Sequence, residues 1–423
     1  MMKENIYSLS QFTSNKIKIL SFVGILALLF VHNTNGINIQ LTPSMIVRQH
    51  FNWMDVVENF IANGLLRFRM PFMMAISGFF MFYKSKYSYI ALLKKKLSTI
   101  VIPFLIIVAI GLLLTALLEN FAVPRISDIG FHGLLGKKVT EFGFMDFIRF
   151  MLITPVSFQL WYLKVLLVFL LLYPVIKLCF RHFPILFLVS VFVLWFFTFY
   201  IGGKETDRGY FFFLVGAYLA YAKVEIDKPF KFFSPRLSLH LFLMILVLKT
   251  GITFYGYDII GNNAKYLVST LYKMNEILGL YAFWFVFDKA LLKVIDHSFL
   301  LKISASSFFI YAFHAPLIGY VNQIFALSNN SFSNNPLFAF FFIPIIILII
   351  TLLAEDFIKS ISPKFYTVLT GGRGNIKNGT LFLHYFNLTE NLFSRKLVFK
   401  GIAVAEFTFF AMFVIQHTGL NIL

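Results

Sequence analysis

The stretch IKILSFVGILALLFVHN, residues 17–33, decides the class of fold. Apart from Lys18 and Ser21 it stays free of polar side chains from Ile17 to Val31, and then meets His32 and Asn33. An α-helix rising 1.5 Å per residue needs about 20 apolar residues to cross a ~30 Å hydrocarbon core, and fewer when its ends are anchored. The run closes on a histidine rather than a small-residue cleavage site, so it reads as an uncleaved first membrane span and not as a removable signal.

Comparable runs recur near 66–83, 98–118, 160–180, 183–201, 209–222, 238–257, 267–288, 303–327 and 336–358, with a weaker one near 400–416. The stretch 51–66 reads either as another short span or as an amphipathic lead-in. The expected fold is therefore all-α, a polytopic transmembrane helix bundle of about 10–11 spans. Composition agrees. Apolar residues make up 59% of the 423 and charged residues 13%, with mean hydropathy +0.80. Soluble domains hold about 45–50% and about 25%. That balance excludes a soluble multidomain protein, a disordered chain and a coiled coil. Cys179 is the single cysteine, which excludes a disulfide framework and a cysteine-based metal cluster.

The net charge of +18 would suggest nucleic acid as the partner of a soluble protein. Here the bases gather in alternate loops. Lys3, Lys16 and Lys18 precede the first span; Lys84, Lys86, Lys94, Lys95 and Lys96 follow the second; Lys177 and Arg181 follow the fourth. Lys223, Lys228, Lys231 and Arg236 follow the sixth, Lys289, Lys293 and Lys302 the eighth, and a basic tail the tenth. Cytoplasmic loops collect Lys and Arg, so the N-terminus is expected in the cytoplasm of a multi-pass cell-membrane protein, with lipid and no nucleic acid as partner. Both sets of loops are short, which leaves any chemistry within the membrane or at its surfaces.

Ionisable groups inside apolar runs are costly and mark candidate sites. His32 lies fourteen residues beyond Lys18, ~21 Å along a helix and nearly in phase with it; it is either an interfacial cap or a catalytic group. Arg67 and Arg69 precede Pro71 and Ser77-Gly78. Their guanidinium groups suit an anion or a polar substrate, or else snorkel to lipid head groups, while Ser77-Gly78 suits close helix packing. Lys94, Lys95 and Lys96 either set topology or grip a polyanion. Trp161 and Tyr162 suit an interfacial belt or a sugar-stacking surface. Tyr311 and His314 lie well inside the ninth span, His314 at a depth comparable to that of His32. Lys273 and Glu276, three apart, read as an intramembrane pair.

Taken in order, these segments resemble the integral-membrane acyltransferase family 3, which O-acylates surface polysaccharides, peptidoglycan and lipid-linked sugars. The pieces that carry the resemblance are Val31-His32, Arg67 to Pro71 with Ser77-Gly78, the basic run before Ile102-Pro103-Phe104, Leu160-Trp161-Tyr162-Leu163 with Tyr173-Pro174, Phe213 to Gly216, and Ser307 to Pro316. Four positions depart from the family pattern. Ser21 stands where a basic residue is usual, Lys94 and Lys96 stand where two arginines are usual, and Gln159 stands where many members have histidine.

The resemblance implies an acyltransferase-like transmembrane domain over 1–375, with 376–423 as a C-terminal extension. It implies acetyl-CoA or another acyl-CoA as donor rather than a permanently bound cofactor, no metal, and a sugar or polysaccharide acceptor, with polysaccharide-assembly machinery as a possible partner. Under it, His32, Arg67, Arg69 and His314 are the expected catalytic residues. Lys18, Lys94 and Lys96 would hold CoA, and Trp161, Tyr162 and Tyr311 the acceptor. The rival reading is a transporter or flippase of lipid-linked saccharides, which would call for two related halves with broken helices. A sensor or scaffold that kept the fold is a third.

Overall fold

A computed structural model describes residues 9–33, 45–48, 50–83, 88–121, 139–153, 155, 157–202, 209–327 and 336–373. The weak run at 400–416, the extension 376–423 and the bases Lys3, Lys84 and Lys86 lie outside the described residues. Among the described residues the regular elements are all helical. The protein is an all-α membrane protein, with a helix at each of the ten stronger apolar runs.

In chain order the helices are α1 (Gln11–His32), α2 (Trp53–Phe60), α3 (Arg69–Phe82), α4 (Tyr89–Lys96), α5 (Ile102–Phe121), α6 (Phe144–Ile148), α7 (Trp161–His182) and α8 (Pro184–Gly202). They continue with α9 (Tyr210–Tyr221), α10 (Pro235–Ile260), α11 (Ala264–Phe285), α12 (Asp288–Leu291), α13 (Ser298–Ser304), α14 (Ser307–Leu327), α15 (Pro336–Ile361) and α16 (Pro363–Thr370). A π-helical turn at Ile61–Leu65 joins α2 towards α3, and another at Leu97–Val101 joins α4 to α5. The stretch 51–66 is thus the opening of a longer helical run, Trp53–Phe82. By length and apolarity six helical stretches can cross a membrane, or seven if α13 and α14 count as one broken span. One of the six, Pro235–Leu291, contains both α10 and α11; the apolar stretches Pro184–Thr198 and Tyr210–Tyr221 are shorter.

Local sequence explains the helix boundaries. Ser10 accepts from the Thr13 amide at 3.1 Å and starts α1. Ser-Pro pairs start α10 and α16: Ser234 and Ser362 cap, and Pro235 and Pro363 supply a first-turn residue with no amide to satisfy. Gly371, at φ +59°, ends α16 in the left-handed conformation that glycine adopts without strain.

The chain divides into two compact units, Met1–Lys94 with Lys164–Ser304 and Lys95–Leu163 with Ala305–Leu423. In the first, α1 and α3 run antiparallel and share an apolar core of Ile19, Leu20, Phe72 and Phe283 with Leu291 and Ile295. Apolar burial drives little helix association in lipid, so close contact has to come from small residues. A Cβ placed on Gly78 would stand 1.9 Å from the Phe213 carbonyl oxygen, and one on Gly216 would stand 1.9 Å from the Ala75 carbonyl oxygen. The backbones of α3 and α9 therefore touch through a reciprocal glycine pair.

One end of this unit is strongly polar. The Leu9 amide donates to Tyr83 Oη at 2.8 Å, Thr13 to Asp227, Asn15 to Asp296 at 3.0 Å, and the Trp284 indole to the Ile226 carbonyl at 2.8 Å. Lys16, fully buried, reaches Asp288 at 2.6 Å and lies 4.1 Å from the Trp284 ring centre. In the second unit, Thr115 and Tyr320 share a hydrogen bond of 2.8 Å, and the Gly371 turn lies against Thr99. Tyr366 donates to Glu355 at 2.6 Å, and Glu355 also meets Lys359 at 2.8 Å. Burial and the Glu355 carboxylate push the Tyr366 phenol well above its ordinary value, so it stays a donor.

Candidate functional site

His32 is the last residue of α1, half-buried, and is followed by the fully buried Asn33. Lys18, at the other end of the same helix, is exposed and donates to Asn15 at 3.3 Å. The inward-facing base at that end is Lys16, which sequence reasoning treated only as a loop charge. Its cage of Asp288, Trp284, Phe285 and Phe12 is a structural environment.

Arg67 and Arg69 diverge. Arg67 Nε donates to Asn63 Oδ1 at 3.1 Å, and its Nη2 bonds the same oxygen. Arg69 is 3% exposed, donates from Nη1 to the Leu66 carbonyl at 3.2 Å, and faces Tyr272 and Glu276 of α11. Lys273 and Glu276 have partners of their own. Lys273 donates to the Trp195 carbonyl at 2.8 Å, and Glu276 accepts from Tyr272 at 2.5 Å. Gly24 of α1 lies opposite Arg69 and Met73. Arg69 therefore sits at mid-height on α1, eight residues or ~12 Å from His32. Counting the same distance back from Arg69 along the antiparallel run reaches 59–63. That polar stretch, Asn59 to Asn63 beside Glu58, lies at the height of His32.

The basic cluster also divides. Lys94 is exposed, whereas Lys96 is half-buried and faces Lys95 and Arg373. Residues two apart on a helix point to different sides, so the two lysines do not form a single grip. Arg373, unremarked in the sequence, has its guanidinium 4.4 Å from the Phe308 ring centre and near Tyr162 and Tyr311.

The second unit brings Tyr162, Tyr311 and His314 together. Tyr162 and Tyr311 meet edge-on at 5.8 Å between ring centres, and Tyr311 and His314 lie 6.4 Å apart. Tyr311 Oη donates to the Gln159 carbonyl at 2.7 Å, and Gln159 Nε2 donates to the Ala312 carbonyl at 2.7 Å. Gln159, at the place of a common family histidine, thus fastens the start of α7 to α14. His314 is fully buried, and its Nδ1 lies 2.8 Å from the Tyr311 carbonyl. That bond puts the proton on Nδ1 and makes Nε2 the basic nitrogen. Trp161 is half-buried beside Tyr162, at 6.4 Å between ring centres. His32, Lys18, Arg67 and Arg69 belong to the first unit, and Lys96, Trp161, Tyr162, Tyr311 and His314 to the second.

Long apolar helices that carry a terminal histidine, the buried Arg69 and a buried tyrosine–histidine cluster define a polytopic membrane protein with ionisable groups set inside its helices. The chain belongs to the acyltransferase 3 family: the family's profile, described as an acyltransferase domain, matches residues 15–355. It is accordingly a multi-pass membrane enzyme that transfers acyl groups. The chain is 24% identical over 368 residues to the succinoglycan biosynthesis protein ExoH of Rhizobium meliloti (strain 1021), covering 86% of this chain and 94% of that protein. No solved structure matches.

Proposed function

We propose that the protein is an O-acyltransferase, most simply an O-acetyltransferase, that moves an acyl group from acyl-CoA to a sugar hydroxyl of a cell-surface polysaccharide or lipid-linked glycan. The family match over residues 15–355 carries this reading. The name of the Rhizobium relative, a succinoglycan biosynthesis protein, favours polysaccharide as the acceptor class. In the proposed arrangement the N-terminus is cytoplasmic, Lys96 meets the CoA phosphates, and Lys18 and Lys94 add positive charge on the cytoplasmic side. The segment after residue 375 lies outside the matched stretch.

His32 acts as general base. It takes the proton of the acceptor hydroxyl as the oxygen attacks the thioester carbonyl. The C–S bond then breaks, CoA leaves as a thiolate, and the histidinium returns the proton to it. Arg67 stabilises the oxyanion. Arg69, turned towards α11, positions the α2–α3 run. Tyr311 and His314 are polar groups for the acyl arm or the sugar, and Trp161 and Tyr162 offer it an aromatic surface.

Deletion of the gene should remove ester-linked acetyl groups from the cell's surface polysaccharide, seen as lost acetyl signals in its proton NMR spectrum and restored by the wild-type gene. An unchanged ester content would count against the reading.

A further inference from the structure

The α2–α3 run contains a group of buried polar side chains that packing does not explain. Asp55 is accounted for: with Asn52 it closes a capping box at the start of α2. Glu58, one turn on, is 2% exposed, and its Oε1 has no hydrogen-bond partner among the described residues. The same holds for Oδ1 of Asn59, 3% exposed, and for Nδ2 of the fully buried Asn63. An unpartnered carboxyl group in a membrane helix is among the costliest placements a side chain can have.

Asn59 and Asn63, four apart, fall on one helix face, and Glu58 stands next to Asn59. The turn at Ile61–Leu65 is π-helical, with the Leu66 amide bonded to the Ile61 carbonyl at 3.0 Å. Single π turns inside helices recur at functional sites. Two cations hold Asn63. Arg67 holds Asn63 Oδ1, and Lys249 of α10, 1% exposed, donates to the Asn63 carbonyl at 3.0 Å. Gly64 lets α10 approach this closely, since a Cβ there would meet Leu246 at 2.0 Å. The group lies at the height of His32, away from the polar end that holds Lys16 and Lys18.

We propose that Glu58, Asn59 and Asn63, the last held by Arg67 and Lys249, form the subsite that takes the hydroxyls of the sugar acceptor, entering from the His32 end of α1. The assignment deepens the proposed function and rests on it for the identity of the acceptor. Two unsatisfied acceptors, Glu58 Oε1 and Asn59 Oδ1, and one unsatisfied donor, Asn63 Nδ2, match adjacent sugar hydroxyls, each of which both donates and accepts. Glu58 orients a hydroxyl here and carries no group in the transfer.

The test uses full-length protein in lipid nanodiscs, oligosaccharides released from the surface polysaccharide of the deletion strain, and radiolabelled acetyl-CoA. The wild type should be raised in melting temperature by the oligosaccharides. Glu58→Gln and Asn59→Ala should lose that rise, keep acetyl-CoA affinity, and transfer label to the oligosaccharide at least tenfold more slowly. Because Glu58→Gln removes a buried carboxyl without changing its shape, its own melting temperature should be unchanged or higher, whereas a structural role would lower it. Oligosaccharide stabilisation of both variants equal to the wild type, or a Glu58→Gln protein that melts lower and transfers normally, would overturn the assignment. If no variant, nor the wild type, transfers label, the acyl-CoA reading fails, while the oligosaccharide-dependent melting still decides the subsite.

Discussion

Lys16 shows what an intramembrane charge needs in order to be structural: an acid at 2.6 Å, three aromatic rings and no exposure. Removing one member of a fully buried pair costs roughly 3–5 kcal/mol, and less is expected here because the Asp288 side chain is 26% exposed. Lys16→Ala should therefore lower the melting temperature and the yield of monodisperse protein, and Lys16→Met with Asp288→Asn should recover most of both. His32 has a different setting, half-buried at a helix end and level with the Glu58–Asn63 group. His32→Ala should abolish transfer while leaving membrane insertion and melting near wild type, checked by labelled transfer and by fluorescence-detected gel filtration. At the donor side, Lys96→Ala should weaken acetyl-CoA binding several-fold by calorimetry and Lys94→Ala should not, because only Lys96 turns towards Arg373. If the double variant binds acetyl-CoA normally, both lysines serve topology alone.

Among the elements, the contact of α3 with α9 is the one most tightly specified. Ser77-Gly78 and Phe213 to Gly216 are separate motifs in the sequence, and folding sets each glycine against the other helix's backbone. Gly78→Ala or Gly216→Ala should separate the helices and cost about 1–3 kcal/mol, read as a lower melting temperature. The packing role of Ser77-Gly78 was legible because small residues in an apolar run have few other uses. The polar group on α2 was not. Glu58, Asn59 and Asn63 fall in a stretch of mixed character, and α-helical counting places Glu58 and Asn63 on different faces. The reading of Arg67 and Arg69 as one unit failed for a related reason, since the break at 66–68 sends Arg67 to Asn63 and Arg69 towards α11.

For the whole molecule, the apolar excess was sufficient to read an all-α membrane protein and to place its helices, because hydrocarbon leaves the backbone few other ways to satisfy its hydrogen bonds. The site was legible only residue by residue. Histidine and arginine stand out against apolar runs, whereas Lys249 and Arg373 acquire meaning from what folding places beside them. Loop charge predicts the side of each end. In a Cys179→Ser background, a cysteine at Lys289 should react with membrane-impermeant maleimide only after the cells are opened, and one at Arg48 in intact cells.

The proposed acyl transfer from CoA to a sugar within the membrane can be decided in a single assay. Membranes containing the wild-type protein or His32→Ala are supplied with radiolabelled acetyl-CoA and polysaccharide from the deletion strain, and alkali-labile label in the polysaccharide is counted. Incorporation is expected with the wild type, and none above background with His32→Ala. Equal incorporation by the two, or none by the wild type, would contradict it.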